Sequence, residues 1–278
     1  MEKVVVIDYS IFCFRATFAW RQQKSIPLEY IILNMILSSL IKIGVEPMDK
    51  ILIARDGRGN WRHDYDKEYK ANRKEFRESF EDIDWKETFE KFNKVAEWLE
   101  QGTDWQLIQL EKIEADDIAS VICRYYKEKE IILVSYDKDW EILLSYPNVK
   151  IFSILKKYKG NKGAYKIPTP NFNAYKLLAS KVKQEKTDNL ITPILSEKDY
   201  ENRLKCVNLL ELPEFIEGQI IKELENYKEK EMIDINFIPF RTIKEKLENL
   251  YNNKEKIITY EMCEKYEEKK KKRKRRKK

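Results

Sequence analysis

The stretch Val-Val-Val-Ile-Asp at residues 4–8 decides the fold, because four apolar residues run unbroken into an acid. An apolar run rich in β-branched residues is typical of a strand that is buried on both faces. The same pattern returns in Ile51–Ala54, ahead of Asp56, and in Ile131–Ser135, ahead of Asp137. Apolar residues at helical spacing separate these strands, at residues 31–43, 85–101 and 115–126. The alternation predicts an α/β fold with a mainly parallel central sheet and helices on both faces.

The chain of 278 residues divides into three predicted parts. The strand and helix pattern predicts an α/β domain over residues 1–165. Residues 166–268 are lysine-rich and helical in pattern, and we expect a smaller C-terminal helical subdomain there. Residues 269–278 read KKKKRKRRKK, and ten like charges cannot pack, so a disordered polybasic tail is expected.

The basic character of the chain is concentrated in this tail. Without it the chain holds 44 basic and 48 acidic residues, so the body is slightly acidic. Two interpretations of the tail are open. It is either an electrostatic arm that binds nucleic acid, with Lys272, Arg273 and Arg275 among the contacts, or a segment that improves solubility.

Composition excludes several classes of protein. No apolar run is long enough to span a membrane, and the short run near Met1 lacks the features of a signal peptide. The four cysteines are scattered and His63 is the single histidine, which argues against a zinc site and against catalysis of the Ser-His-Asp kind. A reducing, cytoplasmic compartment is expected. Any chemistry should therefore depend on carboxylates and basic residues.

Acidic residues follow the predicted strands. Asp8, Asp56, Asp137 and Asp139 come after strands, and Glu114, Asp116 and Asp117 begin a helix. For any one acid, a helix cap or a solvated loop is the simpler interpretation, but the recurrence favours a shared crevice at the carboxyl ends of the strands. Clustered carboxylates need a cation, and oxygen ligands alone favour Mg²⁺ or Mn²⁺. Two such ions suit phosphodiester hydrolysis.

Residues 55–77 interleave basic and aromatic side chains. Basic groups can hold phosphates and aromatic rings can stack on unpaired bases. The acids among them leave a second interpretation open, an ordinary charged surface helix. The candidates for nucleic-acid binding in this stretch are Arg58, Trp61, Tyr69, Lys74 and Arg77.

In combination, these segments resemble the flap endonuclease / 5′→3′ exonuclease family, and its phage-type ribonuclease H branch most of all. The resemblance is carried by Asp8, by RDGRGNWRHDYDKEYKANR at 55–73, by EADD at 114–117, by SYDKDWEILLSYPNV at 135–149 and by NYKEKEMIDINFIP at 226–239. It implies a PIN-like fold with a helical arch at about 60–85. It also implies a nuclease that uses two Mg²⁺ ions, with Mn²⁺ as a substitute, to remove RNA primers and flaps in DNA replication or repair.

The resemblance also implies roles for single residues. The first ion would be held by Asp8, Asp56, Glu114 and Asp116, with Asp137 near both ions and Asp117 as a further candidate. The second ion would draw on Asp139, Glu185 and Asp188. Lys70 and Arg73 would contact the scissile phosphate, and Arg62 would assist them.

The second half departs from the family pattern. Where the family usually has GDxxDN, this chain has QEKTDN at 184–189, and no glycine-rich helix–three-turn–helix is recognisable after it. Potassium-assisted duplex binding is therefore not implied. Expected partners are DNA and RNA–DNA hybrids with 5′ ends or flaps, a sliding clamp and a single-strand-binding protein, with no membrane and with the chain as a monomer. A PIN-class single-strand ribonuclease and a non-catalytic DNA-binding protein are the alternatives.

Overall fold

A computed structural model of the chain describes residues 2–158, 161–167, 172–183, 193–228 and 233–252. The strands are β1 (Lys3–Asp8), β2 (Lys50–Ala54), β3 (Gln106–Ile108), β4 (Glu130–Val134), β5 (Val149–Tyr158) and β6 (Asn161–Lys166). The helices are α1 (Tyr9–Gln22), α2 (Leu28–Ile43), α3 (Asn72–Glu78), α4 (Trp85–Gly102), α5 (Ala115–Tyr125), α6 (Ala174–Lys183), α7 (Glu197–Val207), α8 (Glu214–Asn226) and α9 (Arg241–Asn252).

The strands form one sheet in the order β3-β2-β1-β4-β5-β6. Strands β1 to β5 are parallel to one another, and β6 alone pairs antiparallel, with β5. The apolar run at residues 4–7 lies in the middle of the sheet, where neighbours on both sides satisfy its backbone. The prediction of a mainly parallel sheet is confirmed.

Helices cover both faces of the sheet, as predicted. Alternation along β1 sends Val5 and Ile7 to a core shared with α1, α2, α4 and α9. Val4 and Val6 point to the opposite core, shared with α5, α6 and α8. Each face of the sheet is thus covered by amphipathic helices, so polar residues can reach a ligand only at the strand ends.

Segments from the C-terminal half complete both cores. Ile216 and Ile220 of α8 are buried on one face, and Ile243 and Leu247 of α9 are buried on the other. The boundary near residue 165 stays a prediction about domain organisation. Residues 269–278 lie outside the described residues. In the part of the chain that the structure covers, no helix is both long enough and apolar enough to cross a membrane.

The segment predicted as an arch is mostly irregular. It contains a short 3₁₀ helix, Trp61–Asp64, and then α3, which has no buried residue. Helix α3 is seven residues long, so it gains little stability on its own. The segment passes over the carboxyl ends of the strands, where its side chains reach the site.

Candidate active site

Four aspartates from separate segments line one crevice at the carboxyl ends of the strands. They are Asp8 at the end of β1, Asp56 just after β2, Asp116 in the first turn of α5 and Asp137 just after β4. The crevice has a volume of about 280 Å³. Strand ends of a parallel sheet meet at one edge, which is why residues 129 positions apart become neighbours.

Asp8 is the most buried of the four crevice aspartates. Its Oδ2 accepts a hydrogen bond from the Ser135 hydroxyl at 3.0 Å, and its Oδ1 accepts one from the Ile11 amide at 3.3 Å, which caps α1. Burial raises the pKa of Asp8 to about 8, and the charges of Asp56 and Asp137 add to the rise. Without a cation, this carboxyl therefore favours its protonated form.

Asp56 is held by two elements at once. Its Oδ1 accepts a hydrogen bond from the Ala115 amide at 2.9 Å, and its Oδ2 accepts one from the Ser10 hydroxyl at 2.9 Å. The next residue must be glycine, because a Cβ on Gly57 would lie 1.7 Å from the carbonyl oxygen of Leu110. This close approach of two backbones fixes the direction in which Asp56 points.

Asp116 and Asp137 complete the acidic wall. The Trp140 indole donates to Asp116 Oδ1 at 2.6 Å, and the Asp139 amide donates to Asp137 Oδ1 at 2.8 Å. Burial raises the pKa of Asp116 well above its ordinary value despite the nearby Lys70, and Asp137 adds to the rise. Burial and the charge of Asp139 raise the pKa of Asp137 as well. When ionised, these neighbouring carboxylates repel one another, and a bound cation would relieve that repulsion.

Arg62 does not face this crevice, which corrects the expectation that it assists at the phosphate. Its side chain is 1% exposed and its Nε donates to the carbonyl oxygen of Cys206 at 2.7 Å. Its two terminal nitrogens donate to Glu114 at 2.9 Å and to Asp117 at 2.7 Å. Four of the five N–H groups of the guanidinium are used inside the protein, and the buried side chain is not placed to contact a substrate.

Asp117 is likewise a structural residue and not a candidate metal ligand. It is completely buried and accepts from Arg62, from the Trp61 indole at 2.9 Å and from the Glu114 amide at 3.0 Å. The last bond belongs to the capping box that begins α5. The Arg62 guanidinium, which donates through two nitrogens, and the N-terminus of α5 already neutralise this carboxylate.

Trp61 and Tyr69 were predicted to stack on bases, and the structure contradicts this for both. Trp61 is 1% exposed and Tyr69 is 4% exposed. The Tyr69 hydroxyl donates to Glu114 Oε2 at 3.1 Å. Both rings pack beside the guanidinium of Arg62, where they exclude water from its ion pairs. Aromatic character alone does not distinguish a stacking ring from a core ring.

Glu114 belongs to this buried network and contacts Lys70, which lines the crevice, so its role as a ligand of the first ion stays a prediction. Its two oxygens accept from Arg62, Tyr69 and Lys70. Burial by itself would raise the pKa of Glu114, but the charges of Lys70 and Arg62 prevail and lower it to about 2. Glu114 is therefore ionised, and its charge holds Lys70 beside the four aspartates.

Basic side chains of the arch segment line the same crevice as the acids. Lys70, Arg73 and Arg77 line the crevice, while Arg58 and Lys74 lie exposed outside it. Lys70 has a φ of 59°, a left-handed conformation that is unfavourable for any residue with a Cβ. Such strain is found where the surroundings hold a residue in a working position.

The crevice also has an aromatic part, of which the sequence analysis considered only Phe76, among the interleaved residues of 55–77. Its members are Phe14, Phe18, Phe76, Trp85 and Tyr136. Phe14 and Phe18 are four residues apart on α1, which the sequence analysis did not assign, although the i, i+4 spacing was a usable signal. Phe76 is 60% exposed, so one edge of the crevice is open and apolar.

The donor chemistry fits a hard cation, although no closed cage is present. Among the described residues, no three acidic, cysteine or histidine side chains are close enough to form a ready-made metal site. The crevice acids offer oxygen atoms alone, and Mg²⁺ usually keeps several waters and takes only one or two carboxylates. Glu185, Asp188, Lys272, Arg273 and Arg275 lie outside the described residues, so their assignments stay predictions.

Comparisons with known proteins agree with this fold. Residues 3–170 match a family model described as the 5′-3′ exonuclease, N-terminal resolvase-like domain. Ribonuclease H of enterobacteria phage T4 is 31% identical over 164 residues, which are 56% of this chain and 53% of that protein. The chain thus matches about half the length of this curated relative.

Two solved structures share the architecture. A zinc-bound 5′-exonuclease of phage T5 covers 81% of this chain and 99% of its own, with a TM-score of 0.54 and 16% identity. The D15 flap endonuclease of bacteriophage T5, solved with DNA and metal ions, covers 81% of this chain and 100% of its own, with a TM-score of 0.51 and 16% identity. At this identity the likeness concerns the fold. Because the family model covers more than half of the chain, the protein belongs to the 5′-3′ exonuclease family, with the resolvase-like domain of that family at residues 3–170.

Proposed function

We propose that this protein is a divalent-cation-dependent 5′→3′ exonuclease and flap endonuclease that hydrolyses phosphodiesters near 5′ ends. Its role would be to remove RNA primers and flaps in DNA replication or repair. Membership of the 5′-3′ exonuclease family supports the reaction class. The named T4 relative is a ribonuclease H, and one T5 neighbour was solved with DNA and metal ions.

One observation supports the proposal more than any other, namely that acidic and basic side chains line the same crevice. Asp8, Asp56, Asp116 and Asp137 line the same crevice as Lys70 and Arg73. A phosphodiester is an anion that must approach carboxylates to be hydrolysed, so it needs both a cation on the acids and positive side chains near them. A site built for a neutral substrate would have no use for this arrangement.

The first cation would lie among Asp8, Asp56 and Asp116, with Glu114 as a further candidate, and one or two of these carboxylates would bind it directly. Asp137 would lie near both ions, and Asp139 with Glu185 and Asp188 would contribute to the second. Bound Mg²⁺ or Mn²⁺ would supply Lewis-acid activation of water and stabilisation of negative charge. Ser10 and Ser135 keep Asp56 and Asp8 in fixed orientations, so the donors need not reorganise on binding.

Lys70 and Arg73 would position the scissile phosphate and stabilise the charge that develops on it. Lys70 is paired with Glu114 in the protein alone, and Glu114 is anchored by Arg62 and Tyr69. The ammonium is therefore pre-aligned beside the acids before substrate arrives. The open apolar edge at Phe76 would accept an unpaired base, which agrees with a substrate that has a free 5′ end.

A cleavage assay with three labelled substrates tests the proposal. A 5′ flap, a nicked RNA–DNA hybrid and a single-stranded RNA are incubated with Mg²⁺ or with EDTA, and product lengths are compared. We expect Mg²⁺-dependent cutting near the 5′ ends of the first two substrates. Cutting of single-stranded RNA alone would favour a PIN-class ribonuclease, and binding without cutting would favour a non-catalytic protein.

Two matched variants make the assay specific to the site. Asp137→Asn removes one crevice carboxylate, and we expect its rate to fall at least about 100-fold, the usual order for loss of a preorganised electrostatic group. Asp64→Asn removes an exposed carboxylate of the arch segment and should cut like the unmodified protein. Near-normal cutting by Asp137→Asn would contradict the assignment of the site.

A further inference from the structure

A lysine from helix α6 reaches the acidic side of the site. Ala174, Leu178 and Val182 bury one face of α6 against the core, which fixes the position of the helix. The Lys181 ammonium forms an ion pair with Asp139 Oδ1. The lysine side chain is only 13% exposed, whereas the aspartate side chain is 40% exposed. A mobile surface lysine would be far more exposed than this.

The charge of Lys181 acts on the crevice as well as on its direct partner. The Asp139 backbone amide donates a hydrogen bond to Asp137 Oδ1, so the positions of the two acids depend on each other. The positive charges of Lys181, from α6, and of Lys70, from the arch segment, both act on Asp137. The row of acids is thus flanked by one lysine from the arch segment and one lysine from α6.

We propose that Lys181 is a built-in counter-cation, which holds Asp139 in the cation-free protein and competes with a divalent ion for that carboxylate. The inference rests on the proposed function, because the ion in question is the second one that the nuclease would use. Lys181 is thus a positioning residue that sets how tightly the second ion binds.

Competition follows from elementary electrostatics. Carboxylates gathered in one crevice repel one another, and a fixed ammonium offsets part of that repulsion when no ion is bound. A divalent ion that takes Asp139 must first separate it from Lys181, and the two cations then repel each other. Lys181 should therefore stabilise the cation-free protein and weaken binding of the second ion.

The test compares Lys181→Met with Lys176→Met, a change at an exposed lysine of the same helix. Thermal unfolding is measured in EDTA, and Mn²⁺ binding is measured by calorimetry without substrate. For Lys181→Met we expect the melting temperature in EDTA to fall by about 1–4 °C, as for loss of a partly exposed ion pair in a chain of this size. We expect its weaker Mn²⁺ site to bind about two- to fivefold more tightly. Lys176→Met should change neither quantity.

A second variant shows whether Asp139 carries the effect. In an Asp139→Asn background, Lys181→Met should no longer tighten Mn²⁺ binding, because the contested carboxylate is gone. Unchanged or weaker Mn²⁺ binding by Lys181→Met, with normal flap cleavage by the unmodified protein, would overturn this inference alone. Absence of both Mn²⁺ binding and cleavage in the unmodified protein would overturn the proposed function with it.

Discussion

Replacement of Arg62 by methionine should be among the most destabilising single changes in this protein. Methionine retains most of the volume of the stem but removes the guanidinium from between Glu114 and Asp117. Both carboxylates are almost completely buried, with side chains 7% and 0% exposed, so neither can turn to water. The carbonyl oxygen of Cys206 loses its donor at the same time.

The size of the effect follows from this burial. Removing one partner of a buried ion pair costs about 3–5 kcal/mol, because an uncompensated charge remains inside. In a chain of this length, 1 kcal/mol corresponds to roughly 2–4 °C in melting temperature, so we expect a fall of about 6–20 °C. Arg62→Lys should give a smaller loss, since it keeps the charge but not the forked geometry.

Urea unfolding followed by circular dichroism measures the free energy of unfolding of each variant. The matched control is Arg241→Met, because Arg241 also pairs with a glutamate, Glu245 at 2.9 Å, but its side chain is 91% exposed. An exposed pair of this kind is worth less than about 1 kcal/mol. If Arg62→Met lost no more stability than Arg241→Met, the buried network would not depend on the charge of Arg62 and our account of it would be wrong.

Three further predictions concern pH, catalysis and the tail. Because the pKa of Asp8 is raised from 3.8 to about 8 on folding, the native state binds an extra proton between those values. Stability in EDTA should therefore fall as pH rises from about 4 to 8 and should level off above 8. In thermal melts, the melting temperature of Asp8→Asn should depend less on pH than that of the unmodified protein. Equal dependence on pH in the two proteins would count against the raised pKa of Asp8. Lys70→Ala and Arg73→Ala should each raise the activation free energy of single-turnover cleavage by about 2–4 kcal/mol at saturating enzyme, with little change in substrate binding. If substrate binding weakened but the single-turnover rate did not change, these residues would be only surface charges. Deletion of residues 269–278 should lower the slope of log affinity against log salt by about 4–5 if the tail engages about five phosphates, and identical slopes would show that it does not touch DNA.

The sequence alone was sufficient for the parallel strands of the sheet and for the general location of the site, but it did not predict the antiparallel strand β6. The β-branched run at residues 4–7 has no amphipathic stripe, so it can be stable only as a central strand with both faces covered. Asp8, Asp56 and Asp137 come directly after such runs, and parallel strands align their carboxyl ends. Local pattern and simple geometry therefore predicted that these acids converge.

Only the tertiary structure decided which charged and aromatic residues face the substrate. Nothing in the local sequence separates Arg62 from Lys70, yet one is buried and the other lines the crevice. The difference arises because Glu114 and Asp117, 52 and 55 residues further along, pack beneath the arch segment and neutralise Arg62 there. The contact of Lys181 with Asp139, across 42 residues, is decided in the same way. Burial of a charge depends on partners distant in the chain, which are specified by packing and not by local pattern.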